Sequence, residues 1–343
     1  MTLVMSYQHN GSIGIVGDLL LSRDTPLAKP FDIPTRFHEQ YPLTNLNLSG
    51  LRQKTFWISP HLAVAWAGNM LIARNIVREI ADRFTEPYSN DKLLEFIDNL
   101  GLTEAEKAAV AFIFLLITSV ADGKSQMQVF PYRVRRWANP ANEHEVFLFA
   151  GSGSDHFADI DFALKYRASD PRLAFHAAVI GRAATALLQE VMSDDVHNYF
   201  YGGGFEFLIP ETREGKFMKV PLMFAFWTYD ENGKCELVGP VFAQEYSDDG
   251  VLGLHRFVLS EGRWDERIFE VHNLLTSGSR EFLTGLLPEA LWAVHYLINK
   301  NNPNEVITVQ KARGTPNFDI AMDEGALVPK IGASWAEEFA SML

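Results

Sequence analysis

The 343-residue sequence has a single cysteine, no excess of basic residues and no apolar run long enough to cross a membrane. Because Cys235 cannot form an intrachain disulfide by itself, we expect a reducing compartment. The formal net charge of -13 argues against nucleic acid or an anionic membrane as a partner, since both attract basic patches. The longest apolar run, Ala108–Ala121, is too short for a transmembrane helix. With no secretory leader predicted either, we expect a cytoplasmic protein.

Metal and nucleotide motifs are also missing. The ten histidines show no H-x-x-x-H or H-E-x-x-H spacing. Gly151-x-Gly153 lacks the third glycine of a dinucleotide fingerprint. The Tyr-Gly-Gly-Gly-Phe segment at Tyr201–Phe205 is interpreted as a turn, because no G-x-S-x-G elbow follows it. We therefore expect neither a cofactor nor a metal.

Hydrophobic periodicity predicts paired strands, then helices, then paired strands again. The predicted strands are Thr2–Tyr7, Ser12–Val16, a hairpin at Lys54–Gly68, Phe112–Val120, Ser125–Tyr132, Glu145–Ala150, Phe205–Pro210, Pro221–Tyr229 and Glu236–Gln244. The predicted helices are Met70–Phe84, Asp91–Leu100, Thr103–Lys107, Asp155–Tyr166 and Pro171–Met192. This order indicates an α+β protein with largely antiparallel sheets rather than a doubly wound sheet. From about Val251 onward no motif is found.

The second residue is the strongest chemical signal in the sequence. Removal of Met1 would leave Thr2 with a free α-amine beside its own hydroxyl, which is a nucleophile with its base. An α-amine has an ordinary pKa of roughly 7.7–8.0, which suits a general base near neutral pH. Taken alone, a Met-Thr start is common and carries little weight. Motifs at fixed spacing after Thr2 give the Met-Thr start more weight.

Three further motifs have fixed spacing from Thr2. A hairpin with Asn10-Gly11 at its turn ends in Gly-Asp, which places Asp18 sixteen residues after Thr2. The segment KTFWISPHLAVAWAG begins at Lys54 and ends fourteen residues later at Gly68. The segment AGSGSDHF contains Ser152. Together these motifs, over about residues 2–208, resemble the proteasome β-subunit branch of the N-terminal-nucleophile (Ntn) hydrolases. That branch includes the bacterial proteasome-related peptidase that works with an unfoldase ring.

The resemblance implies a role for each motif residue. Thr2 would be the nucleophile, and the ammonium of Lys54 would favour deprotonation of its hydroxyl. Asp18 would hold that ammonium, and Ser152 would hydrogen-bond the terminal amine or a water relay. The backbone N–H of Gly68 would face the developing oxyanion.

A substrate pocket is implied in the same way. Its residues would be Leu21, Phe56, Trp66 and Met70, with Arg52 at the rim. The indole of Trp66 would fill much of the cavity, and no carboxylate is present to pair with a basic side chain. Small or medium apolar side chains are therefore the expected fit.

Three features depart from the family pattern. The loop between Asp18 and Lys54 is about twenty residues longer than the family norm. Asn198 stands where the family has an aspartate, and Tyr201 stands where it has a serine. The chain also continues well past the point where the resemblance fades. The predicted domains are therefore a proteasome-like domain at 2–250 and a C-terminal extension of unknown role at 251–343.

The fold implied is a four-layer α-β-β-α sandwich of two mainly antiparallel sheets between helix pairs. The activity implied is threonine-dependent hydrolysis of a peptide or a small amide through an acyl-enzyme on Thr2. A homo-oligomeric ring or spiral and an unfoldase partner are implied as well. The alternative is a catalytically inactive proteasome-like subunit with a structural or regulatory role.

Overall fold

The structure is a computed structural model that describes residues 2–9, 12–22, 32–35, 48–84, 89–121, 124–139, 142–155, 165–168, 174–192, 201–211, 215–232, 234–285, 287–288, 290–302, 306–312, 318–323 and 326–331. These residues form mostly antiparallel sheets with few helices. The helices are α1 (Met70–Arg83), α2 (Asn90–Asp98), α3 (Glu104–Ala108) and α4 (Ala174–Met192). The strands are β1 (Val4–His9), β2 (Ser12–Asp18), β3 (Leu20–Ser22), β4 (Leu48–Leu51), β5 (Thr55–Ser59), β6 (Leu62–Gly68), β7 (Val110–Ala121), β8 (Lys124–Tyr132), β9 (Arg135–Asn139), β10 (Asn142–Ala150), β11 (Lys165–Ala168), β12 (Phe205–Glu211), β13 (Lys216–Lys219), β14 (Leu222–Tyr229), β15 (Cys235–Leu237), β16 (Val241–Tyr246), β17 (Leu252–Ser260), β18 (Arg263–Val271), β19 (Trp292–Asn299), β20 (Val306–Ala312), β21 (Phe318–Asp323) and β22 (Ala326–Ile331).

The chain divides into two compact units. Unit 1 consists of Met1–Asp159, Ser193–Lys219 and Val271–Ser277. Unit 2 consists of Ile160–Met192, Val220–Glu270 and Gly278–Leu343. All of the residues predicted for the site belong to unit 1.

The first sheet of unit 1 explains why the sequence enters a strand at once. Its six strands run in the order β13-β12-β2-β1-β10-β9, so β1 lies in the interior of the sheet between β2 and β10. The predicted hairpin of β1 and β2 is present, although its turn at Asn10-Gly11 lies outside the described residues. Gly14 lies opposite Tyr7, and a Cβ at Gly14 would overlap the buried tyrosine ring. A larger residue at position 14 would therefore have to displace the Tyr7 ring.

The second sheet of unit 1 has the order β5-β6-β7-β8, with antiparallel neighbours. The predicted hairpin of β5 and β6 and the predicted strand β7 are confirmed. Alanines alternate along one face of β6 and form a core with apolar residues of the six-stranded sheet. This core includes Ala63, Ala65, Ile113 and Leu115 from the four-stranded sheet and Val4, Ile15, Leu148 and Leu208 from the six-stranded sheet. Two sheets of unit 1 therefore pack face to face.

Helices cover the other face of the four-stranded sheet. Asn69 caps α1 by accepting hydrogen bonds from the N–H groups of Leu71 and Ile72. The buried residues of α1, among them Ile76 and Ile80, pack with Phe112 of β7 in one apolar cluster. Unit 1 thus contains a helix layer and two sheet layers. A fourth layer, of helices on the six-stranded sheet, stays a prediction.

Unit 2 contains a ten-stranded mixed sheet. Its order is β11-β20-β19-β14-β16-β17-β18-β22-β21, and β15 pairs with β14. β14 runs parallel to β19 and β11 parallel to β20. The antiparallel pairs are β14–β15, β14–β16, β16–β17, β18–β22, β19–β20 and β21–β22. The domain division predicted at residue 250 falls in the turn between β16 and β17, which pair with each other.

Helix predictions in this part of the chain had mixed outcomes. The predicted helix ending at Met192 is confirmed as α4, while its start at Pro171 lies outside the described residues. The helix predicted at Asp155–Tyr166 falls mostly outside them, and Lys165 and Tyr166 begin β11 instead. No described helix is both long and apolar enough to cross a membrane.

A buried histidine makes the stability of the fold depend on pH. His176 of α4 lies with its ring centroid 6.1 Å from that of Trp292, and burial lowers its pKa from 6.5 to about 4. Between these pH values the unfolded chain binds a proton at this site and the folded chain does not. The free energy of unfolding should therefore rise with pH across this window, by about 3 kcal/mol in total.

Urea unfolding from pH 4 to pH 7 measures this effect. The variant His176→Gln should lose the share of the pH dependence that belongs to His176, while the wild type keeps it. An identical pH dependence in both proteins would contradict the assignment.

Candidate active site

The main chain of Thr2 is held by the segment that follows β10. Thr2 is buried, and its backbone N–H donates to Oγ of Ser152 at 3.4 Å. The N–H of Gly153 donates to the carbonyl oxygen of Thr2 at 3.2 Å. Gly151 has a φ of 100°, and a Cβ there would overlap the same carbonyl. The Gly-Ser-Gly-Ser segment therefore has to carry glycine where it approaches Thr2.

The carboxylate of Asp18 is the centre of the hydrogen-bond network. Oδ1 accepts from the N–H of Leu3 at 2.7 Å and from Nζ of Lys54 at 2.5 Å. Oδ2 accepts from the N–H groups of Leu20 at 3.2 Å and Gly202 at 3.0 Å. Because Asp18 is fully buried, these donors replace the water that it loses on folding. The carboxylate thereby fixes the chain directly after Thr2.

Lys54 brings a second buried charge to the same place. Its Nζ donates to Asp18 and also to the carbonyl oxygen of Leu20, each at 2.5 Å. Its side chain has no exposed surface. The residue lies just before β5, and its carbonyl accepts from the N–H of Trp66 at 3.0 Å. The Lys54 carbonyl is thus bound to β6, although the residue itself precedes β5.

Burial dominates the electrostatics of this pair. It lowers the pKa of Lys54 below its ordinary value, and the charges of Asp18 and Glu206 oppose that shift. Burial also raises the pKa of Asp18, opposed by Lys54 and by the N–H groups of Leu3 and Gly202. A lysine with a lowered pKa exchanges a proton near neutral pH more readily than an exposed one does.

Gly68 ends β6 in a conformation that favours glycine. Its φ is 98°, and a Cβ there would overlap the carbonyl oxygen of Ala109. The next residue, Asn69, donates its N–H to that same carbonyl at 2.8 Å and then caps α1. The role of the Gly68 N–H as an oxyanion donor stays a prediction.

The apolar residues predicted to line the pocket share one cluster. Phe56 and Trp66 are buried in it, and the partly buried Leu21 and Met70 pack against it. The indole Nε1 of Trp66 donates to the carbonyl oxygen of Gln53 at 3.2 Å. Since the indole has no exposed surface, it already occupies the volume that a smaller side chain would leave open.

Arg52, the residue predicted at the rim of the pocket, carries a partly buried positive charge. Its Nη1 donates to the carbonyl oxygen of Asn273 at 3.3 Å. Burial lowers the pKa of Arg52, and the nearby charge of Arg74 lowers it further. The positive charges of Arg52 and Arg74 therefore oppose each other.

The Tyr-Gly-Gly-Gly turn contributes more to the network than its sequence indicated. Besides the bond from the Gly202 N–H to Asp18, the Gly202 carbonyl accepts from the N–H groups of Leu19 at 3.1 Å and Leu20 at 2.9 Å. Tyr201 is fully buried, and a Cβ at Gly153 would overlap its ring. Asn198, the other departure in this region, lies outside the described residues.

Sequence reasoning missed two charged residues next to Lys54. Glu206 of β12 accepts hydrogen bonds from the backbone of Lys54 and Thr55, and Lys219 of β13 pairs with Glu206. The one sequence signal for a buried acid was the position of Glu206 between apolar residues in Phe205–Leu208. Among the described residues, no group of three or more His, Cys, Asp or Glu residues could hold a metal ion.

Known proteins were compared with this chain by family model, by sequence and by structure. No family model matches the sequence, and no curated protein matches it. A crystal structure of eukaryotic HslV from Trypanosoma brucei matches over 60% of this chain and 97% of that chain. The sequence identity is 13% and the TM-score is 0.34. At this TM-score the similarity establishes neither a common fold nor a common function.

Proposed function

We propose that this protein is a threonine-dependent peptide or amide hydrolase of the proteasome-like Ntn class. Removal of Met1 would convert the backbone N–H of Thr2 into an α-amine beside the Thr2 hydroxyl. The observation that carries the proposal is the buried network in which Asp18 joins Lys54 to the chain at Leu3, next to Thr2. Buried charges that are paired and have perturbed pKa values are typical of active sites.

The proposed reaction proceeds by acylation of Thr2 and then hydrolysis of the acyl-enzyme. The hydroxyl oxygen of Thr2 attacks the substrate carbonyl while its proton passes to the α-amine, assisted by the charge of Lys54. The backbone N–H of Gly68 donates to the oxyanion of the tetrahedral intermediate, an effect on the order of 3 kcal/mol. The C–N bond then breaks, the leaving amine takes the proton, and an ester on Thr2 remains. Water attacks this ester and releases the acid.

The apolar cluster supports a substrate class. Trp66 and Phe56 are buried in it, and the partly buried Leu21 and Met70 pack against it, so a substrate side chain would dock on apolar residues. Arg52, at the rim of the proposed pocket, adds a positive charge. A small or medium apolar residue before the cleaved bond fits this surface, and lysine or arginine does not.

The finer architecture is part of the proposal. A second helix layer on the six-stranded sheet would complete a four-layer α-β-β-α sandwich, with the residues after 250 as a C-terminal extension. The resemblance to the bacterial proteasome-related branch supports a homo-oligomeric ring or spiral that works with an unfoldase. The single cysteine supports a cytoplasmic location.

An inactive proteasome-like subunit is the second candidate. The observation that favours it is Tyr201, a buried phenol at the position where the resembled family has a serine. In that case the Asp18–Lys54 pair would serve only to hold the sheet together.

Intact-mass spectrometry combined with a fluorogenic peptide panel separates the two candidates. The hydrolase should have a mass lacking Met1, cleave fastest after small or medium apolar residues, and cleave poorly after lysine and arginine. A mass that retains Met1, with no turnover, would favour the inactive subunit. Fastest cleavage after lysine or arginine would refute the assignment of the pocket residues, while Thr2 would remain the proposed nucleophile.

A further inference from the structure

Unit 1 contains a second buried ion pair, next to the first. The carboxylate of Glu206 and the ammonium of Lys219 are 2.5 Å apart, with 0% and 3% of their side chains exposed. They come from neighbouring antiparallel strands, β12 and β13. A buried pair of charges is a poor source of stability compared with apolar residues of the same size. Its presence beside the site therefore calls for a role other than stability.

Both partners also bind the backbone at Lys54 and Thr55. Oε1 of Glu206 accepts from the N–H of Lys54 at 2.6 Å and from the N–H of Thr55 at 2.7 Å. Nζ of Lys219 donates to the carbonyl oxygen of Thr55, and to its Oγ1 at 3.1 Å. Two successive N–H groups and one carbonyl are thus held by one ion pair.

The two ion pairs hold the two ends of one residue. At Lys54, Glu206 binds the main-chain N–H, while Asp18 and the carbonyl of Leu20 bind the ammonium. The residue lies before β5 begins, so the β5–β6 ladder does not itself fix its N–H. A hydrogen bond to a charged acceptor is stronger and shorter than one to a neutral acceptor.

We propose that Glu206 is a positioning residue, which holds the backbone of Lys54 so that the Lys54 ammonium meets Asp18 beside Thr2. Lys219 pairs with the Glu206 carboxylate and orients it towards the backbone of Lys54 and Thr55. This inference rests on the proposed function, since it assigns Glu206 to the same reaction. The substrate and the reacting atoms are not in contact with Glu206 in this scheme.

Two double variants separate the hydrogen bonds of Glu206 from its charge. Glu206→Gln with Lys219→Met removes both charges but keeps a side-chain oxygen that can accept from Lys54 and Thr55. Glu206→Leu with Lys219→Met removes both charges and the acceptor. Each leaves no buried unpaired charge, so both proteins should fold.

We call Glu206→Leu with Lys219→Met the Leu–Met variant and Glu206→Gln with Lys219→Met the Gln–Met variant. Turnover by the Leu–Met variant should be lower than that by the Gln–Met variant by about tenfold or more, because small misplacements of catalytic groups are costly in rate. The loss should appear in kcat, with KM nearly unchanged. Hydrogen exchange should also be faster at the Lys54 and Thr55 amides in the Leu–Met variant alone. Equal kcat values and equal exchange in the two variants would overturn the inference.

The single variant Glu206→Gln tests the charge. It removes a negative charge that favours protonated Lys54, so the descending limb of the pH–kcat profile, where Lys54 loses its proton, should move to lower pH. A purely structural role would lower the melting temperature and leave that limb in place. If the wild-type protein hydrolyses no substrate, the proposed function fails, and the exchange experiment still decides whether Glu206 holds Lys54.

Discussion

Replacement of Lys54 by methionine is expected to abolish turnover and to lower the free energy of unfolding by about 3–5 kcal/mol, the range for removing one partner of a buried ion pair. Methionine keeps most of the apolar stem, so the loss reflects the ammonium. Without it, Asp18 keeps its three backbone donors but has no opposite charge in a fully buried place. Urea unfolding and steady-state turnover measure the two effects together.

Lys107→Met is the matched control for Lys54→Met. Lys107 also belongs to unit 1, and it pairs with Asp98 and Glu104, whose side chains are exposed, at 3.6 and 3.4 Å. Exposed pairs contribute little to stability, so this variant should unfold and turn over as the wild type does. Wild-type turnover in Lys54→Met would contradict the role of Lys54 in the reaction.

Replacement of Thr2 by alanine is expected to lower turnover by a factor on the order of 10³ or more, because it removes the nucleophile of a unit that acts together. The fold should persist, since the main-chain bonds of Thr2 to Ser152 and Gly153 do not involve its hydroxyl. Thr2→Ser keeps a hydroxyl and should retain part of the activity. Initial rates and melting temperatures of the three proteins measure this.

A Thr2→Ala variant that hydrolyses peptides as fast as the wild type would show that the nucleophile lies elsewhere. A variant that fails to fold is distinguished by its melting curve. In that case Thr2→Ser, with its smaller change, still tests whether the hydroxyl is needed.

Local patterns predicted the elements that carry the site. The β1–β2 and β5–β6 hairpins, α1 and β7 follow from alternation, helical spacing and turn residues within short windows. The spacing of Thr2 and Asp18 follows from the first hairpin alone. Such features depend on neighbours in sequence, which is why a single sequence is enough for them.

Contacts between distant parts of the chain were not predictable in this way. Glu206 meets Lys54 across about 150 residues, and nothing local in either strand specifies that partner. Strand β19 is a nearly continuous apolar run in Trp292–Asn299, a pattern that does not distinguish a buried strand from a buried helix. Its parallel pairing with β14 also gives no short-range signal. For this reason the strands after Val251 were missed.

The most direct measurement is peptide mapping of the purified protein after treatment with a threonine-directed electrophile such as a peptide vinyl sulfone. The proposed chemistry predicts one adduct per chain, on a first residue that is Thr2 with Met1 removed. It predicts no adduct on Thr2→Ala and a slower adduct on Lys54→Met. An adduct on another residue, or equal labelling of the wild type and Thr2→Ala, would contradict the assignment of Thr2 as the nucleophile.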